Sequence, residues 1–164
     1  MPIQHRLLDA KLRAQTAVSL ANLNQNCKNA LSADGVDLGQ VASVASQTEY
    51  YNTNSFEGTE LVSSIAGGTI NDTLIQYLGG ARAGVLPGIY GWATNNVVVG
   101  SLFFNQIGYG ATILDSQNIT LVHEALHTGT GLNDPQLALK LGLGSFDTSG
   151  AGISAASQSI SSYL

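Results

Sequence analysis

Two histidines and a glutamate stand close together in the stretch LVHEALHTGTGLND, which covers residues 121–134. In a helix, residues four apart lie on one face, so His123 and His127 can aim both imidazoles at one point. Glu124 is turned by about 100° from His123 and would sit beside that point. The chain has only three histidines, so the expected number of chance occurrences of this pattern in a sequence of its composition is roughly 0.001. The spacing therefore indicates a site rather than an accident.

The chemistry that these residues favour is metal-assisted hydrolysis. Two neutral imidazoles bind Zn²⁺ well, and with a third protein ligand the fourth position is left to a water, whose pKa falls to about 7. Glu124 would take the proton of that water as general base and pass it to the leaving amine of a peptide bond. The competing interpretation is an exposed helix face with solvated histidines. The neighbours in this helix argue against that interpretation, because burying a polar triad costs free energy unless its members have partners. These neighbours are apolar: Ile119, Leu121, Val122, Ala125 and Leu126.

Asp134 is the leading candidate for the third metal ligand. It follows His127 by seven residues, and Gly129 and Gly131 between them allow the backbone to leave the helix and double back. The alternative is that Asp134, directly before Pro135, caps the next helix with its carboxylate. Both roles remain open on the sequence alone.

Three other residues are weaker candidates for that ligand. Asp147, in the loop SFDTSG, is the reserve choice, and Asn133 is a less favoured one. His5 belongs to an N-terminal helix, where we expect a solvated side chain rather than a ligand.

The segment HEALH at residues 123–127, followed by Gly131-Leu132-Asn133-Asp134, resembles the HExxH zincin metallopeptidases with an aspartate as third ligand, namely the aspzincins and the snapalysin-like enzymes. The resemblance implies a zinc peptidase with a peptide or protein substrate, with His123, His127 and Asp134 on Zn²⁺ and Glu124 as the catalytic residue. It also implies a substrate chain along an exposed sheet edge, for which we nominate Val97–Phe104. Tyr109 or Tyr163 would be the second proton donor.

A looser resemblance concerns the longer stretch LVHEALHTGTGLNDPQLALKLGLG and the serine-rich tail. These are similar to HExxH-bearing C-terminal tip domains of large bacterial Rhs-type and related surface proteins, some of which are toxins. The likeness implies secretion or delivery within a larger bacterial protein, and an inhibitor or immunity protein as partner. Two alternatives stay open: a non-hydrolytic surface or delivery module with a structural zinc, and a zinc hydrolase acting on a non-peptide amide.

Composition narrows the class of partner. A length of 164 residues predicts one domain, residues 1–164. The net charge of −5 gives no electrostatic attraction to nucleic acid or anionic lipid. The longest strongly apolar stretch, Val97–Phe104, is far too short for a membrane span, and the first residues lack the apolar core of a signal peptide. We therefore expect no nucleic acid partner and no membrane insertion.

The elements that must position the site follow from periodicity and turn residues. We predict an α+β, zincin-like fold in which an N-terminal helix and the HExxH helix pack on a small twisted sheet. Helices are expected at Gln4–Asn24 with its leucines inward, Asn71–Leu78, a motif helix ending near Gly129, one starting at Pro135 and Ser154–Tyr163. Between Ser32 and Gly58 the signals weaken, and we expect a loop with short elements, for which a short helix at Leu38–Ser46 is one candidate. A hairpin is expected from Ile89–Ala93 and Asn96–Asn105, with loops at Glu49–Asn54 and Gly84–Gly91.

Overall fold

The computed structural model describes residues 3–53, 83–85 and 96–164. These residues form a mainly helical α+β arrangement. The helices are α1 (Ile3–Ala21), α2 (Gln25–Ala33), α3 (Leu38–Ala45), α4 (Ser101–Asn105), α5 (Ile113–Thr130), α6 (Asp134–Lys140) and α7 (Gly150–Tyr163). The strands are β1 (Glu49–Asn52), β2 (Ala83–Val85) and β3 (Asn96–Val99). The predicted helix at Asn71–Leu78 lies outside the described residues.

The helix that carries the HExxH motif, α5, is central to the described structure and packs against α1, α3, α4, α7 and β2. It begins earlier than the polar run at 115–118 suggests, because the side chain of Thr112 accepts a hydrogen bond from the amide of Asp115. It ends one residue after Gly129. Gly131 then adopts a left-handed conformation with φ of 72°, and its amide donates to the carbonyl of His127.

Gly129 allows a close contact between α5 and α3 rather than a turn. A Cβ at this position would lie 2.7 Å from the Cα of Val41, which is too close for any side chain. The residue is helical, so only Gly131 supplies the change of chain direction that the sequence suggests for both glycines.

The three described strands form one sheet in the order β1-β3-β2. β3 is central and entirely buried, parallel to β1 and antiparallel to β2. The predicted hairpin is wrong beyond Val99, because residues 101–105 turn into α4. Ile89–Ala93 lies outside the described residues, and the antiparallel neighbour of β3 is β2, whose Gly84 and Val85 we expected in a loop.

The segment expected as a loop at Glu49–Asn54 contains strand β1 instead. Tyr50 and Tyr51 are both buried there. The amide of Tyr50 donates to the carboxylate of Asp9 at 2.7 Å, and the ring of Tyr51 stacks on His5. These long-range partners from α1 stabilise the strand, and aromatic residues suit a pleated, half-buried surface.

The N-terminal helix is confirmed, but the face that it buries differs from the predicted leucine stripe. Its buried residues are His5, Asp9, Leu12, Thr16, Ser19 and Leu20. Leu7 and Val18 are 64% and 59% exposed. The reason is the partner: α1 lies against β1, where Asp9 and Thr16 satisfy polar groups of Tyr50.

Two apolar clusters hold α5 from different sides. Val122, Ala125 and Leu126 pack into a cluster with residues of α2, α3, α6 and α7, whereas Leu121 packs with β1, β3 and Leu12 of α1. Each fully buried leucine contributes about 1.5–3 kcal/mol relative to exposure. Both α1 and α5 also contact the sheet, as expected. None of the described helices is both long and apolar enough to cross a lipid bilayer.

Candidate metal centre

The two motif histidines lie side by side on α5. Their ring centroids are 4.7 Å apart, and the rings are tilted by 40°. His123 is buried and His127 half-buried. One helical turn separates them, so the rotation of the helix alone brings both rings to the same side.

Asp134 completes the group. Its Oδ1 lies 2.9 Å from Nε2 of His123 and 3.0 Å from Nε2 of His127. One ligand atom from each of the three residues falls within 4.8 Å of the others. Two imidazole nitrogens and a carboxylate oxygen are a donor set that suits Zn²⁺ and other divalent transition metals. The three side chains could therefore hold a metal ion, and the arrangement alone does not select which one.

The local chain explains why the Asp134 carboxylate is available. Asn133, not Asp134, caps α6: its side chain accepts from the amide of Gln136, and the Gln136 side chain accepts from the amide of Asn133. This capping box satisfies the helix end. Asp134 therefore occupies the first helical position with a carboxylate that is not used for capping and that hydrogen-bonds to the two histidines of α5. The capping alternative for Asp134 is wrong, and Asn133 is committed elsewhere.

A second layer of hydrogen bonds orients each imidazole. Nδ1 of His127 donates to the carbonyl of Leu132 at 2.7 Å. Nδ1 of His123 lies 2.8 Å from Oγ of Ser161 on α7. Each contact leaves Nε2 as the nitrogen that faces Asp134. Such outer partners fix the ring orientation of metal-binding histidines.

Burial and charge act against each other in this group. Burial alone would raise the pKa of the Asp134 carboxyl, but the hydrogen bonds from His123 and His127 outweigh it and hold that pKa well below its usual range. Burial lowers the pKa of His127, yet its hydrogen bond to Asp134 and the charges of Glu124 and Asp134 raise it overall.

The hydrogen bonds also determine how many protons the His127 ring carries when no metal is bound. The Leu132 carbonyl and the ionised Asp134 can only accept, so both nitrogens of His127 must donate. His127 is then an imidazolium. A metal at Nε2 would replace the proton there and leave the bond to Leu132 intact.

Glu124 is buried beside the triad, with 7% of its surface exposed. Its charge raises the pKa of His127 and contributes to the raised pKa of Tyr50, after burial of that phenol. The Glu124 carboxylate is thus within electrostatic reach of His127.

The remaining candidates lie elsewhere. Asp147 is bonded to the amide and hydroxyl of Ser149, the N-cap of α7, and does not join the triad. His5 is buried rather than solvated, 3.3 Å from Asp9. The Tyr163 hydroxyl is buried without a hydrogen-bond partner, and burial together with Cys27 and Asp34 raises its pKa. Tyr109 lies at the N-terminal end of α5, where its amide meets Ser116.

The expected substrate edge is also corrected. Val97–Val99 belong to the central strand, with β1 on one side and β2 on the other. This segment therefore offers no free edge for a peptide, and Ser101 is helical.

Comparisons of this chain with family models, curated proteins and solved structures found no match. The case for a metal site therefore rests on the geometry of the three side chains.

Sequence reasoning missed two groups of this centre, Ser161 and the carbonyl of Leu132. Ser161 sits in a serine-rich tail in which no serine stands out by spacing, and it meets His123 across 38 residues. The Leu132 carbonyl has no side-chain signal at all. Its position follows from the turn at Gly131, which the sequence does suggest.

Proposed function

We propose that this protein is a zinc-dependent metallopeptidase of the HExxH type, in which His123, His127 and Asp134 hold Zn²⁺ and Glu124 is the general base. The observation that carries the proposal is the convergence of the three donor atoms within 4.8 Å, with the buried carboxylate of Glu124 on the next position of the same helix.

The number of donors favours a catalytic site over a structural one. Among the described residues, three side chains converge, whereas structural zinc sites use four protein ligands. A bound Zn²⁺ would polarise the substrate carbonyl and acidify a water. Glu124 would accept a proton from that water and return it to the leaving amine, while His123 and His127, fixed by their outer hydrogen bonds, would keep the site geometry.

The substrate in this proposal is a peptide or protein. The likeness of the motif helix and the serine-rich tail to tips of large bacterial surface proteins supports a role as a secreted or delivered domain. In that setting an inhibitor or immunity protein is the expected partner. The charge of −5 supports neither nucleic acid nor anionic lipid as a partner.

The test is Glu124→Gln, measured by metal analysis and by cleavage of a broad peptide library. We expect the metal content to stay stoichiometric, because Glu124 is not a ligand in this proposal. Turnover should fall by about 10²–10⁴-fold, the usual contribution of a general base. Asp115→Asn, on the exposed start of the same helix, is the matched control and should keep both. Full activity of Glu124→Gln would refute Glu124 as the base.

A second candidate, a structural metal site in a non-hydrolytic module, is favoured by one observation: His123 and Glu124 are only 4% and 7% exposed. X-ray absorption of the zinc-loaded protein separates the two functions: four protein ligands indicate the structural site, and three plus a water support the hydrolase.

A further inference from the structure

Ser161 makes a side-chain hydrogen bond from a different helix to one of the candidate ligands, His123. It lies on α7, is 4% exposed, and places Oγ 2.8 Å from Nδ1 of His123 on α5. Some buried hydroxyls among the described residues bond to carbonyls of their own helix, as Thr128 does with Ala125 and Thr16 with Leu12. The Ser161 hydroxyl instead crosses between two helices to an imidazole.

The direction of that hydrogen bond depends on what Nε2 of His123 does. When Nε2 binds a metal, Nδ1 must carry the ring proton and Ser161 Oγ must accept it. The site is buried, so an Nδ1–H without that acceptor would lose its partner with little access to water. The imidazole would then favour the other tautomer, in which Nε2 carries the proton and has no lone pair for a metal, or another rotation, which turns the Nε2 lone pair away from the metal position.

We propose that Ser161 is a positioning residue of the metal centre, which fixes the ring orientation and tautomer of His123. The inference rests on the proposed metal binding. It makes the C-terminal helix part of the site: α7 packs against α6, which carries Asp134, and also against α5, which carries both histidines. The chain next to the site orients His127 through Leu132, whereas His123 depends on a residue 38 positions away.

The experiment compares Ser161→Ala with Ser162→Ala in the full chain. Ser162 is the matched control because it has the same side chain on the same helix and is exposed. Zinc affinity is measured by competition with a chromophoric chelator, and the coordination geometry by the visible absorption of the Co²⁺ form. The unfolding midpoint without metal reports on folding alone.

We expect Ser161→Ala to bind zinc about 10- to 100-fold more weakly, as for other outer-partner losses, with an altered Co²⁺ spectrum. Ser162→Ala should match the wild type in both. If Ser161→Ala does not fold without metal, Ser161→Cys, which puts a slightly larger and weaker acceptor at the same position, should show an intermediate zinc affinity.

Two failures are distinguishable. Wild-type protein that binds neither Zn²⁺ nor Co²⁺ overturns the proposed metal function and the role of Ser161 with it. Wild-type protein that binds zinc, with the Ser161 variants as tight and spectrally unchanged as Ser162→Ala, overturns only the positioning role.

Discussion

At the residue scale, the adjacent residues Asn133 and Asp134 have separate roles, and this separation creates the candidate site. Asn133 satisfies the start of α6, so the adjacent carboxylate is free to bridge the two histidines. An N-cap is worth about 1 kcal/mol, whereas removal of one member of a buried charged group leaves its partners uncompensated and costs more. Neighbouring residues of similar size thus carry separate roles.

Substituting these neighbours one at a time tests that division. Asp134→Ala should abolish stoichiometric zinc binding, since it removes one of three donors. Asn133→Ala should lower the free energy of unfolding by about 1 kcal/mol and keep the metal. Zinc content after gel filtration and urea unfolding measure the two effects. Equal zinc retention by both variants would contradict the assignment of Asp134 as a ligand.

The pKa shifts predict how stability without metal depends on pH. The pKa of Asp134 is held below its usual 3.8, so its contribution is present above that value and is lost as the pH falls through the lowered pKa. The pKa of His127 is raised above its usual 6.5, so its contribution is full below 6.5 and is lost as the pH rises through the raised pKa. With a chelator present, the free energy of unfolding should therefore fall when the pH rises above 6.5.

Urea unfolding in chelator between pH 5 and about pH 9 measures this trend. Asp134→Asn is the control, because it removes the charge that raises the pKa of His127. The alkaline loss of stability should be smaller in that variant. Zinc affinity should move in the opposite direction and rise with pH, since the metal competes with protons for Nε2. A wild-type stability that increases above pH 7 in chelator would contradict the imidazolium assignment.

At the element scale, α5 is positioned by contacts on several sides at once. α3 approaches it at Gly129, the two apolar clusters share it, and Gly131 ends it in a left-handed turn. Two glycines two residues apart therefore act through different physics: one leaves space for a neighbouring helix, and the other adopts a backbone conformation that costs an L-residue about 1 kcal/mol or more.

Alanine at each position separates these causes. Gly129→Ala should destabilise the metal-free protein by about 1–3 kcal/mol, the range for overpacking. Its zinc affinity should fall as well, because His127 lies two residues away and shifts with the helix. Gly131→Ala has open space around it and should cost about 1 kcal/mol through backbone strain. Urea unfolding and zinc titration measure both variants, and a smaller loss for Gly129→Ala than for Gly131→Ala would contradict the packing role.

At the scale of the whole molecule, the proposed metal links elements that the chain separates by a turn. Two candidate ligands lie on α5 and one on α6, and Ser161 of α7 contacts one of them, His123. A ligand that binds only the folded state stabilises it by about 2.7 kcal/mol at a hundred times its dissociation constant. The metal should thus act on stability as well as on chemistry.

Thermal unfolding with increasing zinc tests this linkage. The midpoint should rise with free zinc concentration and return to the metal-free value when a chelator is added. His127→Ala should show no such rise at concentrations that stabilise the wild type, because a donor is lost. A midpoint that is independent of zinc in the wild type would count against a metal centre.

The sequence by itself determined the parts of this protein that depend on local geometry. The placement of His123 and His127 on one face follows from helical rotation, and the reach of Asp134 follows from the turn that Gly131 permits, so both could be predicted. Helix α1 was likewise predictable from periodicity, and its ends came within a few residues. These features depend on neighbours within a few positions of the chain.

Only the tertiary structure decided the rest, because the deciding partners are far apart in sequence. Ser161 meets His123 across 38 residues, and Asp9 meets the amide of Tyr50 across 41. Such contacts buried His5, made a strand of β1, and put β3 in the centre of the sheet rather than at an edge.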